Sequence, residues 1–420
     1  MPGAIGHNGV MASTAGQTRS SWLKWSALAA AAGVAGASVV ATTTSALAGY
    51  FARKVVTPDR VREEDLPILA VIPDGTKLQI VLPATADTTV EGSYGLFFDR
   101  GAGHAVVGRI ISHVPREGTV TREVLRTTAG DLRHARQGWW SGSIFTHPSQ
   151  LGLGSEDVTL ELPGGPAPAW LVPADEPLAT WAIMVHGRGT SRMEGLRAVP
   201  AARALGLNSL LISYRNDGEA AAADDGRYGL GVTEWADVEA AIEYALAHGA
   251  HDVVLFGYSM GGAIALQAAD RSRLRRHIKA LVLDAPVINW VDVLAHQARL
   301  NRLPEAVGRY GQLMLTHPLG RRVTGLAAPV DLKSMDWVVR AVELRTPTLI
   351  IHSIDDDFVP YGPTAELARK NPEMVEFEPF SHARHTKEYN VDPVRWDAVV
   401  DAWLRPRLGR YQLPRNGGEE

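Results

Sequence analysis

A serine becomes a nucleophile where a base can take its proton and the backbone leaves its oxygen exposed. The stretch Val253-Val254-Leu255-Phe256-Gly257-Tyr258-Ser259-Met260-Gly261-Gly262 meets the second condition. A β-branched and aromatic run ends in Gly-Tyr-Ser-Met-Gly, and a helical pattern, Ala263-Ile264-Ala265-Leu266, begins at once. Strand, sharp turn and helix are the setting that a G-x-S-x-G nucleophile turn requires. The demand is steric. Gly257 and Gly261 must be small for strand and helix to approach, and Ser259 then sits at the tip, before a helix whose N-terminal amides face the site. Without partners, the same residues would be a glycine-rich turn with an incidental serine.

The partners follow in the order such a serine requires, an acid and then a histidine, each beyond a late strand. Ile350-Ile351-His352 closes one strand and leads into Ser353-Ile354-Asp355-Asp356-Asp357-Phe358-Val359-Pro360. The next strand leads to Ser381-His382-Ala383-Arg384-His385-Thr386. A neutral imidazole can remove the serine proton, while a carboxylate fixes the ring's tautomer and stabilises the imidazolium. Residue type alone leaves the acid open among Asp355, Asp356 and Asp357, and each also fits a loop-capping aspartate. His382 and His385 compete in the same way for the base.

The 420 residues are 45% hydrophobic and 21% charged, with a net charge of −4. That length allows a large core and a second domain, and that balance gives no reason to expect nucleic acid as a partner. Arg271, Arg273, Arg275, Arg276 and Lys279 form a local basic cluster, read as a solvated helix end, with contact to an anionic membrane as the lesser option. Cysteine is absent, which excludes disulfides, thiolate metal sites and a cysteine nucleophile.

Residues 1–20 are rich in Gly, Ser, Thr and Ala and read as a disordered tail. No charge occurs between Lys24 and Arg53. At ~1.5 Å per residue Ser26–Gly49 reaches about 36 Å, enough for a ~30 Å hydrocarbon core. Trp22, Trp25, Tyr50 and Phe51 bracket it as interfacial anchors would. Residues 21–52 are therefore expected to be a single-pass transmembrane anchor, with a secretory signal cleaved after Ala46-Leu47-Ala48 as the alternative. The basic residues on either side leave the membrane side of the catalytic domain undecided. Residues 53–150 read as a small β-rich module without a chemical signature, in which Trp139-Trp140 suit packing better than a ligand surface. From 151 to 405 short apolar strands alternate with amphipathic helices, which means a mostly parallel, doubly wound sheet covered on both faces. Residues 288–342 break that rhythm, read as wholly helical, and fall where a lid would cover the strand ends; 406–420 are a polar tail.

On these motifs the chain resembles an α/β-hydrolase over roughly residues 155–405. In that family the acid segment usually reads His-Gly-x-x-Asp-x-x-Val-Pro. Matching His352, Val359 and Pro360 puts the acid at Asp356, with Ser353 replacing the usual glycine. The family places its histidine just before a C-terminal helix, which implies His385, although the usual Gly-x-Gly-His is missing. His186-Gly187-Arg188-Gly189 resembles the family's His-Gly-x-Gly oxyanion loop. That implies the backbone amides of Arg188 and Met260 as oxyanion donors, with His186 holding the loop. Thr190-Ser191-Arg192-Met193-Glu194, Ser213-Tyr214-Arg215-Asn216-Asp217-Gly218-Glu219, Thr233-Glu234-Trp235 and Leu283-Asp284-Ala285-Pro286-Val287 resemble an actinobacterial-type group of membrane-anchored α/β-hydrolases, and also the catalytic domains of prolyl-oligopeptidase-like enzymes. Arg215, Asn216 and Asp217 leave a strand at its active-site end, as candidates for substrate contact or as a structural loop network.

The resemblance implies a serine hydrolase that cleaves an ester, thioester or amide through an acyl-enzyme. A carboxylesterase or lipase-like enzyme comes first, a serine peptidase of prolyl-oligopeptidase-like type second and an acyltransferase third. A membrane-anchored, non-catalytic binding module on the same fold is the alternative from another class, and the complete set of serine, histidine and acid weighs against it. No metal or organic cofactor is implied. The expected partners are a small acyl substrate and, through the N-terminal run, a membrane.

Overall fold

The computed structural model describes residues 45–59 and 61–409. Runs such as TWAIMV and TLIIHS are apolar on both sides of the chain, so they can only be strands covered on both faces. They belong to an eight-stranded sheet made of β1 (Glu156–Leu162), β2 (Gly165–Val172), β3 (Thr180–Val185), β4 (Asn208–Ile212), β5 (Asp252–Tyr258), β6 (Ile278–Asp284), β7 (Thr348–Ser353) and β8 (Val375–Phe380). The spatial order is β8-β7-β6-β5-β3-β4-β2-β1. β3 to β8 are parallel to their neighbours, while β1 and β2 form an antiparallel hairpin on β4.

Period-two alternation divides each strand between two cores. Val253 and Leu255 enter one, and Val254 and Phe256 the other. The first core is covered by α3 (Trp235–Ala247) and α4 (Met260–Arg271), the second by α2 (Val199–Ala204) and α10 (Pro393–Leu404). Register then sets the site. Val185 pairs with Gly257, Tyr258 with Asp284, and Ser353 with Phe380, so the strands end together and their loops meet along one edge. Between β6 and β7 the chain forms α5 (Trp290–Leu300), α6 (Glu305–Thr316), the short α7 (Arg321–Thr324) and several 3-10 turns. The remaining helices are α8 (Gly362–Lys370) and α9 (Glu388–Val391).

Ahead of this domain, residues 66–141 make a separate, wholly antiparallel seven-stranded sheet with its own core of Ile80, Leu96, Phe98, Val107 and Trp140. Buried Arg122 is held by the carbonyls of Thr88, Val90, Gly92 and Gly108 and lies over the Tyr94 and Trp140 rings. Trp139 stacks on Phe97 at 5.0 Å between ring centroids.

Of the expected transmembrane segment only the last part is described. Most of residues 21–52 lie outside the described residues, but residues 45–56 are helical (α1), and this helix is docked on the protein. Ala48, Ala52 and Val56 are buried, a Cβ on Gly49 would lie 2.9 Å from Val323, and one on Gly311 of α6 would lie 3.6 Å from the Ala48 carbonyl. Among the described residues no helix is long and apolar enough to cross a membrane. A stretch of alanine and glycine suits a close helix–helix contact as well as it suits a weakly apolar span. Cleavage after Ala48 would strip the first turn from this docked helix. Intact-mass analysis of protein from its host is expected to show residues 45–48 retained; a mature start at Gly49 would contradict the docking.

Candidate active site

Ser259 closes β5 and opens α4 with φ 51° and ψ −116°, a conformation that side-chain-bearing residues rarely adopt. Its surroundings leave the chain no choice. A Cβ on Gly257 would lie 2.7 Å from the Gly261 carbonyl, one on Gly261 2.1 Å from that of Val185, and one on Gly262 2.5 Å from Pro286. The turn is pinned by the Ser259 amide donating to the Asp284 carbonyl (3.0 Å), and by the Gly262 and Val287 amides donating to the Ser259 carbonyl.

The loop after β8 brings His385 to this turn, with Nε2 2.7 Å from Ser259 Oγ. His385 Nδ1 lies 2.7 Å from Asp356 Oδ2. Of the three adjacent aspartates only Asp356 is buried. Asp355 instead accepts from the His382 amide, and Asp357 faces Arg384 at 3.8 Å. His382 is exposed. Asp356 receives four N–H groups. Its Oδ1 takes the amides of Phe358 (2.8 Å) and Val359 (2.9 Å), and its Oδ2 faces His385 and also His352 Nε2 at 3.1 Å. Because His352 Nε2 also faces the Val359 carbonyl, that nitrogen must carry the proton.

The loop after β3 lies against the serine turn, since a Cβ on Gly187 would be 3.2 Å from Ser259 Cβ. The Gly187 amide donates to Glu194 (2.7 Å). His186 is buried, stacks on Tyr214 at 4.2 Å, and places Nε2 3.2 Å from Asp217, so its ring braces the loop. The Arg188 side chain reaches the carbonyls of Lys54, Val55 and Thr57 on or beside α1, so only its backbone is left for the serine. Met260 heads α4, where an amide has no partner four residues back within the helix. Arg215 is engaged with Asp237, Asn216 with the Arg227 carbonyl and the Ala223 amide, and Asp217 with His186 and backbone amides of its own loop. Among the described residues no group of three or more His, Cys, Asp or Glu side chains is arranged to hold a metal ion.

The sequence profile described as the alpha/beta hydrolase family matches residues 182–409, more than half of the chain. The chain belongs to the alpha/beta hydrolase family. Residues 67–141 match a domain of unknown function. No curated protein matches. Among solved structures, a Pyrococcus furiosus esterase is similar at 19% identity and a TM-score of 0.48, over 63% of this chain and 95% of its own. A thermophilic esterase from Thermogutta terrifontis is similar at 18% and 0.43, over 60% and 99%. An alpha-beta serine hydrolase homologue from Coxiella burnetii is similar at 17% and 0.40, over 58% and 95%.

Electrostatics in this hydrolase follow from burial and donor count. Burial alone would push the Asp356 carboxyl up, but facing His385 and His352 outweighs it and holds the group far below the usual carboxylate range. Glu388, missed in the sequence, behaves oppositely. It is fully buried, and its Oε1 accepts the Ser353 amide at 2.8 Å. Burial first, and then the nearby charges of Asp284 and Asp356, push its carboxyl well above the ordinary value. Glu388 Oε2 is buried without a donor of its own, which suits the protonated form of this carboxyl. A raised carboxyl pKa contributes stability that is present below the unfolded value of ~4.3 and is lost as pH rises towards the folded value. Glu388→Gln mimics the protonated acid, so its Tm should gain on the parent from pH 5 to pH 8, at about 2–4 °C for each kcal/mol relieved. A Tm difference that stays flat over that range would contradict the raised Glu388 carboxyl.

Proposed function

We propose that this chain is a serine carboxylic-ester hydrolase. The observation that carries the reading is the unbroken chain of contacts from Ser259 Oγ through His385 to Asp356, at 2.7 Å for each step. With Asp356 accepting Nδ1–H, a neutral His385 presents a bare Nε2 to the serine hydroxyl. His385 takes the proton as Ser259 Oγ attacks the ester carbonyl, and Asp356 stabilises the imidazolium formed. The backbone amides of Met260 and Arg188 are the proposed donors to the oxyanion, each worth about 3–4 kcal/mol in such sites. His385 then protonates the departing alcohol, and water attacks the acyl-enzyme by the same route.

An ester of an apolar acyl group is favoured by a small apolar cleft of about 60 Å3 between α1, α5 and α6, lined by Phe51, Leu294, Leu303, Val307 and Leu315 among others. Both its walls are tied to the site. Gln297 on the α5 wall donates to the Phe358 carbonyl (2.7 Å), and the Phe358 ring packs 5.1 Å from that of His385. On the α1 wall the Val55 carbonyl accepts from Arg188.

Hydrolysis of p-nitrophenyl esters of graded chain length tests the reading. kcat/KM is expected to rise from acetate to a medium-length acyl chain, and kcat to fall at least ~10⁴-fold in Ser259→Ala and His385→Ala. Faster turnover of peptide anilides than of any ester would move the assignment to a peptidase.

A further inference from the structure

The antiparallel sheet of residues 66–141 offers no chemistry of its own, yet it meets the hydrolase domain at one telling place. That place is the loop and short helix around His385. Asn390, 2% exposed and five residues after the histidine, is the hub. Its Nδ2 donates to the carbonyls of Ser93 (2.7 Å) and Gly142 (2.9 Å), and its own backbone carbonyl accepts from the Ser93 amide (3.0 Å). Gly92 has φ 133°, and a Cβ there would lie 2.3 Å from the Asn390 carbonyl, so only glycine lets the two backbones approach this closely. Two outer contacts flank the hub: Lys387 Nζ lies 3.1 Å from Asp87, and Arg384 donates to the Ala86 carbonyl.

The histidine loop needs such ties. His382 and Thr386, on either side of His385, have φ of 66° and 52°. A left-handed conformation is costly for a β-branched threonine and persists only where the surroundings impose it. On the hydrolase side Arg197 donates to the Thr386 carbonyl (2.6 Å) and to Asn390 Oδ1 (2.9 Å). The His382 amide also donates to Asp355, and Arg384 to the Asp355 carbonyl (3.1 Å); the antiparallel sheet adds its contacts to these.

We infer that the N-terminal antiparallel sheet acts as a built-in clamp on the histidine loop, holding His385 Nε2 in line with Ser259 and so governing turnover rather than substrate affinity. The inference rests on His385 being the base. The sheet touches no reacting atom; Ser93, Gly92 and Asn390 are positioning residues. A displacement of about 1 Å in such a group can cost about 100-fold in rate.

Full-length Gly92→Ala, Asn390→Ala and Asp87→Lys, the last with and without Lys387→Asp, test the clamp. In the first two, kcat should fall about 10- to 100-fold with KM within about twofold, the signature of lost transition-state alignment. Hydrogen exchange should quicken in the peptide spanning 382–391. Asp87→Lys should lose less, and Lys387→Asp should restore it, which a merely destabilised fold would not do. Should Gly92→Ala fail to fold, the half-buried Asp87/Lys387 exchange carries the test. Unchanged kcat in folded variants whose loop exchanges faster would overturn the clamp. If the parent cleaves no ester, the functional reading fails on its own, while unchanged exchange at 382–391 in all variants would overturn the clamp separately.

Discussion

The architecture depends on a single strained turn. Ser259 can hold φ 51° only because Gly257, Gly261 and Gly262 let β5, α4 and the end of β3 approach within van der Waals contact. Every other element of the site is placed relative to that turn. The in-register strand ends bring the 186–188 loop to one side and the acid and histidine loops to the other. Strain at Ser259 is thus a property of sheet geometry, stored by backbone contacts that no side chain can replace.

Around the turn, the site is a problem of holding buried charge. Asp356 stays ionised because four N–H groups meet its two oxygens, two of them from His352 on β7 and His385 on the loop after β8. Behind it, Glu388 has no such set of donors and takes a proton instead. One carboxyl that faces His385 and another three residues after it are therefore shifted in opposite directions, by donor count and by the negative charge already present. Arg197, fully enclosed and facing Glu194, Asp284 and Glu388, supplies the balancing cation and also ties down the Thr386 carbonyl.

Much of this was legible in the residues. The serine turn announced itself because glycine spacing and a switch from strand to helix pattern are local signals. By residue type the candidate acid and base are a choice among neighbours, three aspartates and two histidines; only the family resemblance singles out Asp356 and His385. Residues that act across the fold were not legible. His352 served only as a register mark, and nothing in the spacing of Arg197, Glu388 or Asn390 shows that they meet. Residues 45–52 are open to two readings for a physical reason, since small apolar residues serve a close helix contact and a membrane span equally. The clamp was hidden likewise, because Gly92 and Gly142 look like ordinary turn glycines until their partner Asn390 is seen.

The most direct measurement is reaction of the full-length protein with a fluorophosphonate, followed by mapping of the adduct. An activated serine predicts a single adduct on the peptide bearing Ser259, abolished by His385→Ala and sharply slowed by Asp356→Asn. A folded protein that forms no adduct, or one that labels equally well without His385, would contradict the account at its centre.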